Sequence, residues 1–156
     1  MIYVFDTSPF STLFKNYYRT VFKTLWQSFD DMVAAERVLS TREVFRELED
    51  STNDEAQAWL KDRKALFTTP TPEEAMFVGK IFHVPHFQNN IEGKKLMKGG
   101  KVADPFVIAR AAVKKATVVT VEKFKPNSAD IPNICQHFNV PCRSLEEFMQ
   151  EQGWTF

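Results

Sequence analysis

Asp104-Pro105-Phe106-Val107-Ile108-Ala109-Arg110-Ala111, read with the apolar run a short helix length behind it, says most about how this chain folds. Proline is tolerated in a first helical turn because the N–H it lacks has no intrahelical acceptor there. The residues behind it carry the helix from Asp104 to Lys115. Thr117-Val118-Val119-Thr120-Val121 then forms a β-branched run that reads as a buried strand, closed by Glu122. A carboxylate at a helix start and another just past a buried strand both belong at the carboxyl edge of a parallel sheet, where open α/β folds place their sites. The N-terminus repeats the arrangement, with strand Ile2-Tyr3-Val4-Phe5 followed by Asp6.

Outward from these two points the chain alternates strands and helices. Ser8 is expected to cap a short helix with Pro9 at its first position. Thr20 to Ala35 is amphipathic, with Val21, Leu25, Phe29 and Met32 on one face. Arg37 to Ser40 reads as a strand, and Ser40 with Glu43 has capping-box spacing for a helix through Glu49. Asp54 to Leu66 is the next helix, and Thr71-Pro72-Glu73-Glu74 opens another that runs to His83. The polar, basic segment from His86 to Val102, with Gly93, Gly99 and Gly100, is expected to be a mobile loop. A helix over Ile131 to Phe138, a short strand at Pro141-Cys142-Arg143 and a terminal helix opened by Ser144 and Glu147 complete the chain. Strand–helix alternation without linker or repeat predicts one α/β domain over 1–156 with a mostly parallel central sheet.

Composition narrows the function. The 156 residues include 15 Phe and are 44% hydrophobic, enough for a packed core. No apolar run approaches a membrane span, and no basic leader precedes the first strand, so a cytoplasmic protein is expected. Cys135 and Cys142 are too few for a disulfide framework or a zinc site. His83, His86 and His137 lack metal-ligand spacing and are read as structural or surface residues. Net charge is zero, but from Lys94 to Lys125 nine basic residues face two acids, Asp104 and Glu122, a local excess of +7. Lys94, Lys95, Lys98 and Lys101 are candidate contacts to an RNA backbone around those acids.

Asp6, Glu47, Asp104 and Glu122 form the candidate catalytic and metal-ligating set. Mg²⁺ and Mn²⁺ prefer oxygen ligands, and acids gathered without a cation repel one another. Glu43 and Glu47 share one helix face, and Glu47 is preferred because Glu43 has a capping task. Thr7, Ser8 and Thr120 are placed to hydrogen-bond the acids, although Ser8 also reads as an ordinary turn residue.

Asp6-Thr7-Ser8, Val44-Phe45-Arg46-Glu47-Leu48, Ala103-Asp104-Pro105-Phe106-Val107-Ile108-Ala109 and Val119-Thr120-Val121-Glu122 occur in the order found in PIN domains. Over nearly its whole length the chain resembles a bacterial PIN-like group related to VapC-type toxins. The resemblance implies a three-layer fold and Mg²⁺- or Mn²⁺-dependent RNA cleavage by Asp6, Glu47, Asp104 and Glu122. It also implies neutralisation by a cognate antitoxin. Two departures stand out: VapC-type proteins usually carry Asp at the fourth position, where Glu122 or Asp130 serves here, and the helical middle from Asp54 to Lys101 is long. A haloacid-dehalogenase-like phosphatase would need a second acid where Ser8 stands. The rival is a PIN-like module that binds RNA or protein without cutting. Tyr17, Tyr18 and Trp26 suggest an exposed aromatic face for a homodimer.

Overall fold

The computed structural model describes residues 1–51, 53–100 and 102–156. Among them the element order is β1 (Tyr3–Phe5), α1 (Thr7–Asn16), α2 (Lys23–Ala34), β2 (Val38–Thr41), α3 (Arg42–Leu48) and α4 (Asp54–Asp62). A 3-10 turn (Lys64–Leu66), β3 (Phe67–Thr68), α5 (Pro72–Phe82), α6 (Pro85–Met97) and α7 (Asp104–Lys114) come next. The chain ends with β4 (Thr117–Val119), α8 (Ile131–His137), β5 (Cys142–Arg143) and α9 (Leu145–Glu151). The sheet runs β3-β2-β1-β4-β5, and every pairing is parallel. Register is set by Tyr3 opposite Val38 on one side of β1 and opposite Thr117 on the other.

Alternation within β1 builds the core on both faces. Tyr3 and Phe5 share one face, where Phe148 of α9 meets both rings edge-on at 4.8 and 5.0 Å. Phe10 of α1 and Phe29 of α2 each lie 5.3 Å from Phe5, and Trp59 of α4 extends the cluster. Val4 faces the other way and is fully buried; α7 packs on β1, β2 and β4. The long helix-bearing connections are what parallel strands require.

Several expectations shift by a residue or two for identifiable reasons. Ser8 does not cap α1: Asp6 is the N-cap residue, and Pro9 falls at the third helical position. Thr41, not Ser40, caps α3, accepting from the Val44 N–H, while the Ser40 hydroxyl donates to Phe5 O at 2.8 Å and ties β2 to β1. The helix expected to reach Leu66 ends at Asp62, and the chain tightens into the 3-10 turn so that Phe67 enters the core as a short edge strand. Trp26 is buried and stacked on Phe14 at 5.1 Å, and Tyr17 is half-buried, so the expected exposed aromatic face reduces to Tyr18.

The largest correction concerns His86 to Val102, which is the helix α6 over most of its length. Pro85 starts it, Phe87 and Ile91 anchor it one turn apart in the core, and Gly93 lies in open space where nothing demands a turn. Its end does use the glycines. Gly99 adopts φ 63°, Gly100 follows at φ 88°, and the Gly100 N–H bonds Lys95 O at 2.7 Å, a Schellman closure of the last turn. Arg110 also departs from expectation. It lies buried against Glu74, with Nη2 2.9 Å from Oε1, and bonds Ser40 O and Thr69 O, so it adds nothing to surface charge.

Candidate active site

Strand order reverses at β1: the chain moves outward through β2 and β3, then returns to place β4 on β1's other side. The crevice past the carboxyl ends of β1 and β4 is therefore the topological switch point. Asp6 leaves β1 there, and its N–H bonds Val119 O at 3.0 Å, the last rung of the β1–β4 ladder. Thr120, just past β4, donates its hydroxyl to Asp6 Oδ2 at 3.1 Å across that crevice. Ser8 donates to the same oxygen at 3.2 Å and accepts from the Val121 N–H at 3.4 Å. The residue read as an ordinary turn position thus joins the two strand ends.

Asp6, Glu47, Asp104 and Glu122 line one cleft of about 660 Å³: Asp6 just past β1, Glu47 on α3, Asp104 at the start of α7 and Glu122 past β4. Glu47 projects from α3 and accepts a hydrogen bond from the Thr7 hydroxyl. Glu43, one turn earlier, faces another cavity and pairs with Arg42 at 2.8 Å. Asp104 is buried at the first position of α7. Glu122 accepts the Ile131 N–H at 2.7 Å and so satisfies the first donor of α8. Asp130 was the other candidate for the fourth acid. Its side chain caps nothing and does not line the cleft; Ser128 holds it at 2.7 Å, and that bond is the main reason its carboxyl stays below its usual range.

The acids are unequal. Burial, reinforced by Asp104 and then by Glu122 and Glu47, pushes Asp6 up to about 7 despite the Thr7 N–H. Burial and Asp104 also raise Glu122, against the lowering effects of the Ile131 N–H and Lys94. Lys94 of α6 and Lys98, its C-cap, supply the balancing charge. Lys94 Nζ lies 3.0 Å from Asp104 Oδ2 and 3.4 Å from Asp130 Oδ1, and Lys98 Nζ lies 3.5 Å from Glu47 Oε2. Burial alone would lower Lys94, but Asp104, Glu122 and Asp130 hold its ammonium above the usual range.

Of the four lysines expected on an RNA surface, Lys94 and Lys98 therefore stand on the acids, and Lys95 is exposed beside them. Lys101 lies outside the described residues. Among the described residues no three His, Cys, Asp or Glu side chains are set to hold a metal ion as they stand. The carboxylates share a cleft without closing on one point. His83, His86 and His137 are all exposed and away from it. Sequence reading missed Ser11, Thr12 and Lys15, which with Ser8 form the α1 wall of the cleft. Their spacing of three, four and seven residues is a polar helical stripe, and that was the available signal. No helix among the described residues is long and apolar enough to cross a membrane.

Chains from three solved complexes share this fold. One is from VapBC2 of Rickettsia felis bound to a DNA fragment from their promoter (TM-score 0.52, 13% identity, covering 92% of this chain and 98% of that one). Another is from VapBC-1 of nontypeable Haemophilus influenzae (TM-score 0.54, 14% identity, 94% and 99%). The third is from DNA-bound VapBC of Salmonella typhimurium (TM-score 0.51, 16% identity, 93% and 98%). At such identities the likeness is one of fold, and the fold is PIN-like: a parallel sheet flanked by helices. Over residues 3–156 the chain matches the family described as Domain of unknown function (DUF4411), and it belongs to that family. No curated protein matches it in sequence.

Proposed function

We propose that this chain is a Mg²⁺- or Mn²⁺-dependent endoribonuclease that acts in the cytoplasm as the toxin half of a toxin–antitoxin pair. The observation that carries the reading is the cleft at the switch point, where four separate stretches of chain deliver carboxylates and burial with acidic neighbours pushes Asp6 up to about 7. Such a set of hard oxygen donors suits Mg²⁺ or Mn²⁺. Asp6, Glu47, Asp104 and Glu122 would hold the ion, which when bound supplies positive charge to a phosphodiester and polarises water. The protein's own residues orient the site. Thr120 and Ser8 fix the Asp6 carboxylate, and Thr7 fixes Glu47. Lys94 and Lys98, once the acids have another cation, turn to the phosphates of the strand, with Lys95 and Lys15 beside them.

The shared fold with chains of VapBC complexes supports an antitoxin partner. Lys94 on Asp104 and Lys98 on Glu47 indicate how such a partner would act, by setting Arg or Lys side chains on the same acids.

A second reading, a PIN-like module that binds RNA or protein without cutting, draws on one observation. The two lysines already neutralise Asp104 and Glu47, and among the described residues no set of three ligands stands ready. The deciding experiment incubates the purified chain with end-labelled single-stranded RNA in Mg²⁺, Mn²⁺ or EDTA. The nuclease reading expects fragments in either metal and none in EDTA; intact RNA retained by the protein in all three buffers would favour the binding module.

A further inference from the structure

We propose that the smaller cavity beside the acidic cleft is a nucleobase pocket in which Glu43 reads the base, an inference that rests on the RNA-cleaving reading above. The cavity measures about 300 Å³, the low end for a small-molecule site and suited to one base. Phe82 of α5 and Phe106 of α7 supply aromatic walls, and Arg42, Arg46 and Lys95 supply positive charge at its edge. Aromatic faces stack any base, and cations hold the flanking phosphates, so neither selects a sequence.

Glu43 is the group that can select. Only 8% of its surface is exposed. Its Oε2 accepts from Arg42 Nε and Nη2 at 3.0 and 2.8 Å, yet its buried Oε1 finds no hydrogen-bond partner among the described residues. A buried carboxylate oxygen without a donor calls for an explanation, and a ligand that brings the donor is one. An ionised carboxylate only accepts. Guanine alone among the four bases sets two N–H donors, N1–H and the 2-amino group, side by side. Adenine and cytosine each place an acceptor next to their amino group, and uracil flanks its single N–H with two carbonyls that would face the carboxylate. The chemistry therefore favours guanine.

The pocket also lies where a neighbouring nucleotide would reach. Glu43 and Glu47 are four residues apart on α3, a rise of ~6 Å. Phe106 follows Asp104 by two residues, and Lys95 adjoins Lys94. Helices α3 and α7 thus line both cavities, with Lys98, the C-cap of α6, on the cleft, and a base held at Glu43 belongs to a nucleotide adjoining the phosphate at the acids.

The test reads binding by fluorescence anisotropy in metal-free buffer. The probes are labelled hexauridylate and the same strand carrying one guanosine or one inosine, which lacks the 2-amino group. The full chain should bind the guanosine strand about tenfold more tightly than hexauridylate, the inosine strand should keep part of that gain, and Glu43→Gln should erase it. Equal affinity of the unaltered chain for all three strands would overturn the pocket, whatever the variant does. Cleavage of the same strands in Mn²⁺ separates the two claims. Asp104-dependent cutting without guanosine preference would overturn the pocket and leave the nuclease standing. Guanosine preference without any cutting would leave the pocket and remove the nuclease.

Discussion

Replacing Asp6 by Asn should stabilise the metal-free protein, with a gain that grows as pH rises from about 4 to about 7 and is full above that. Asp6 is buried, and burial with Asp104, Glu122 and Glu47 raises it from 3.8 to about 7. The folded chain therefore keeps a proton that the unfolded chain releases near pH 4. Stability falls as pH rises through that interval, and the penalty is complete above about 7. At about 1.4 kcal/mol for each tenfold change in proton affinity, the ceiling is about 4 kcal/mol. Asn keeps an acceptor for Thr120 and Ser8 but carries no charge, so it removes this penalty without emptying the site. For a chain of this size that ceiling corresponds to a rise in melting temperature of about 8–16 °C. Thermal melts of parent and variant in EDTA at pH 8 and pH 4 measure it. A rise at pH 8 that vanishes at pH 4 is expected; equal melting at pH 8, or the same gain at both pH values, would refute the electrostatic reasoning.

Other perturbations reach different parts of the molecule. Arg110→Leu strands the buried Glu74 carboxylate and should cost about 3–5 kcal/mol in urea unfolding, with much of the loss recovered when Glu74 is made Leu as well. Lys94→Ala and Lys98→Ala each remove an ammonium that stands on a proposed ligand, so calorimetric Mn²⁺ affinity should rise about threefold to tenfold; unchanged affinity would mean that the pairs do not compete with a cation. Lys95→Ala touches no acid that holds the site and should flatten the salt dependence of RNA binding by about one counterion. Expression of the chain alone should slow bacterial growth and Asp104→Asn should not; harmless expression of the parent would count against the toxin role.

The central features were legible because each carries a local signal. A β-branched run, an acid and a helix start at Asp104 identify a parallel sheet edge, and the boundaries of α5, α7, α8 and α9 fall within a residue or two of expectation. The α6 segment was illegible because its apolar content is sparse: two buried anchors, Phe87 and Ile91, hold a mostly exposed helix, and its glycines looked like turn signals. The consequence for the site is larger than a boundary error. A helix, unlike a loop, fixes Lys94 and Lys98 one turn apart, and that spacing is what sets both on the acids. The choice between Glu43 and Glu47 also needed tertiary structure, since both occupy one helical face and only the packing of α3 shows which looks into the cleft. Arg110 counted as surface charge in the sequence because nothing local reveals that Glu74, on a helix distant in sequence, buries it.

The claim that Asp6, Glu47, Asp104 and Glu122 form a metal-dependent phosphodiesterase site is tested most directly by titrating Mn²⁺ into the parent and Asp104→Asn proteins while following RNA cleavage on the same samples. The parent should show saturable Mn²⁺ binding with cutting that rises in step, and Asp104→Asn should lose both together while keeping its fold by circular dichroism. Cutting by Asp104→Asn at the parental rate, or cutting by the parent in EDTA, would contradict the claim.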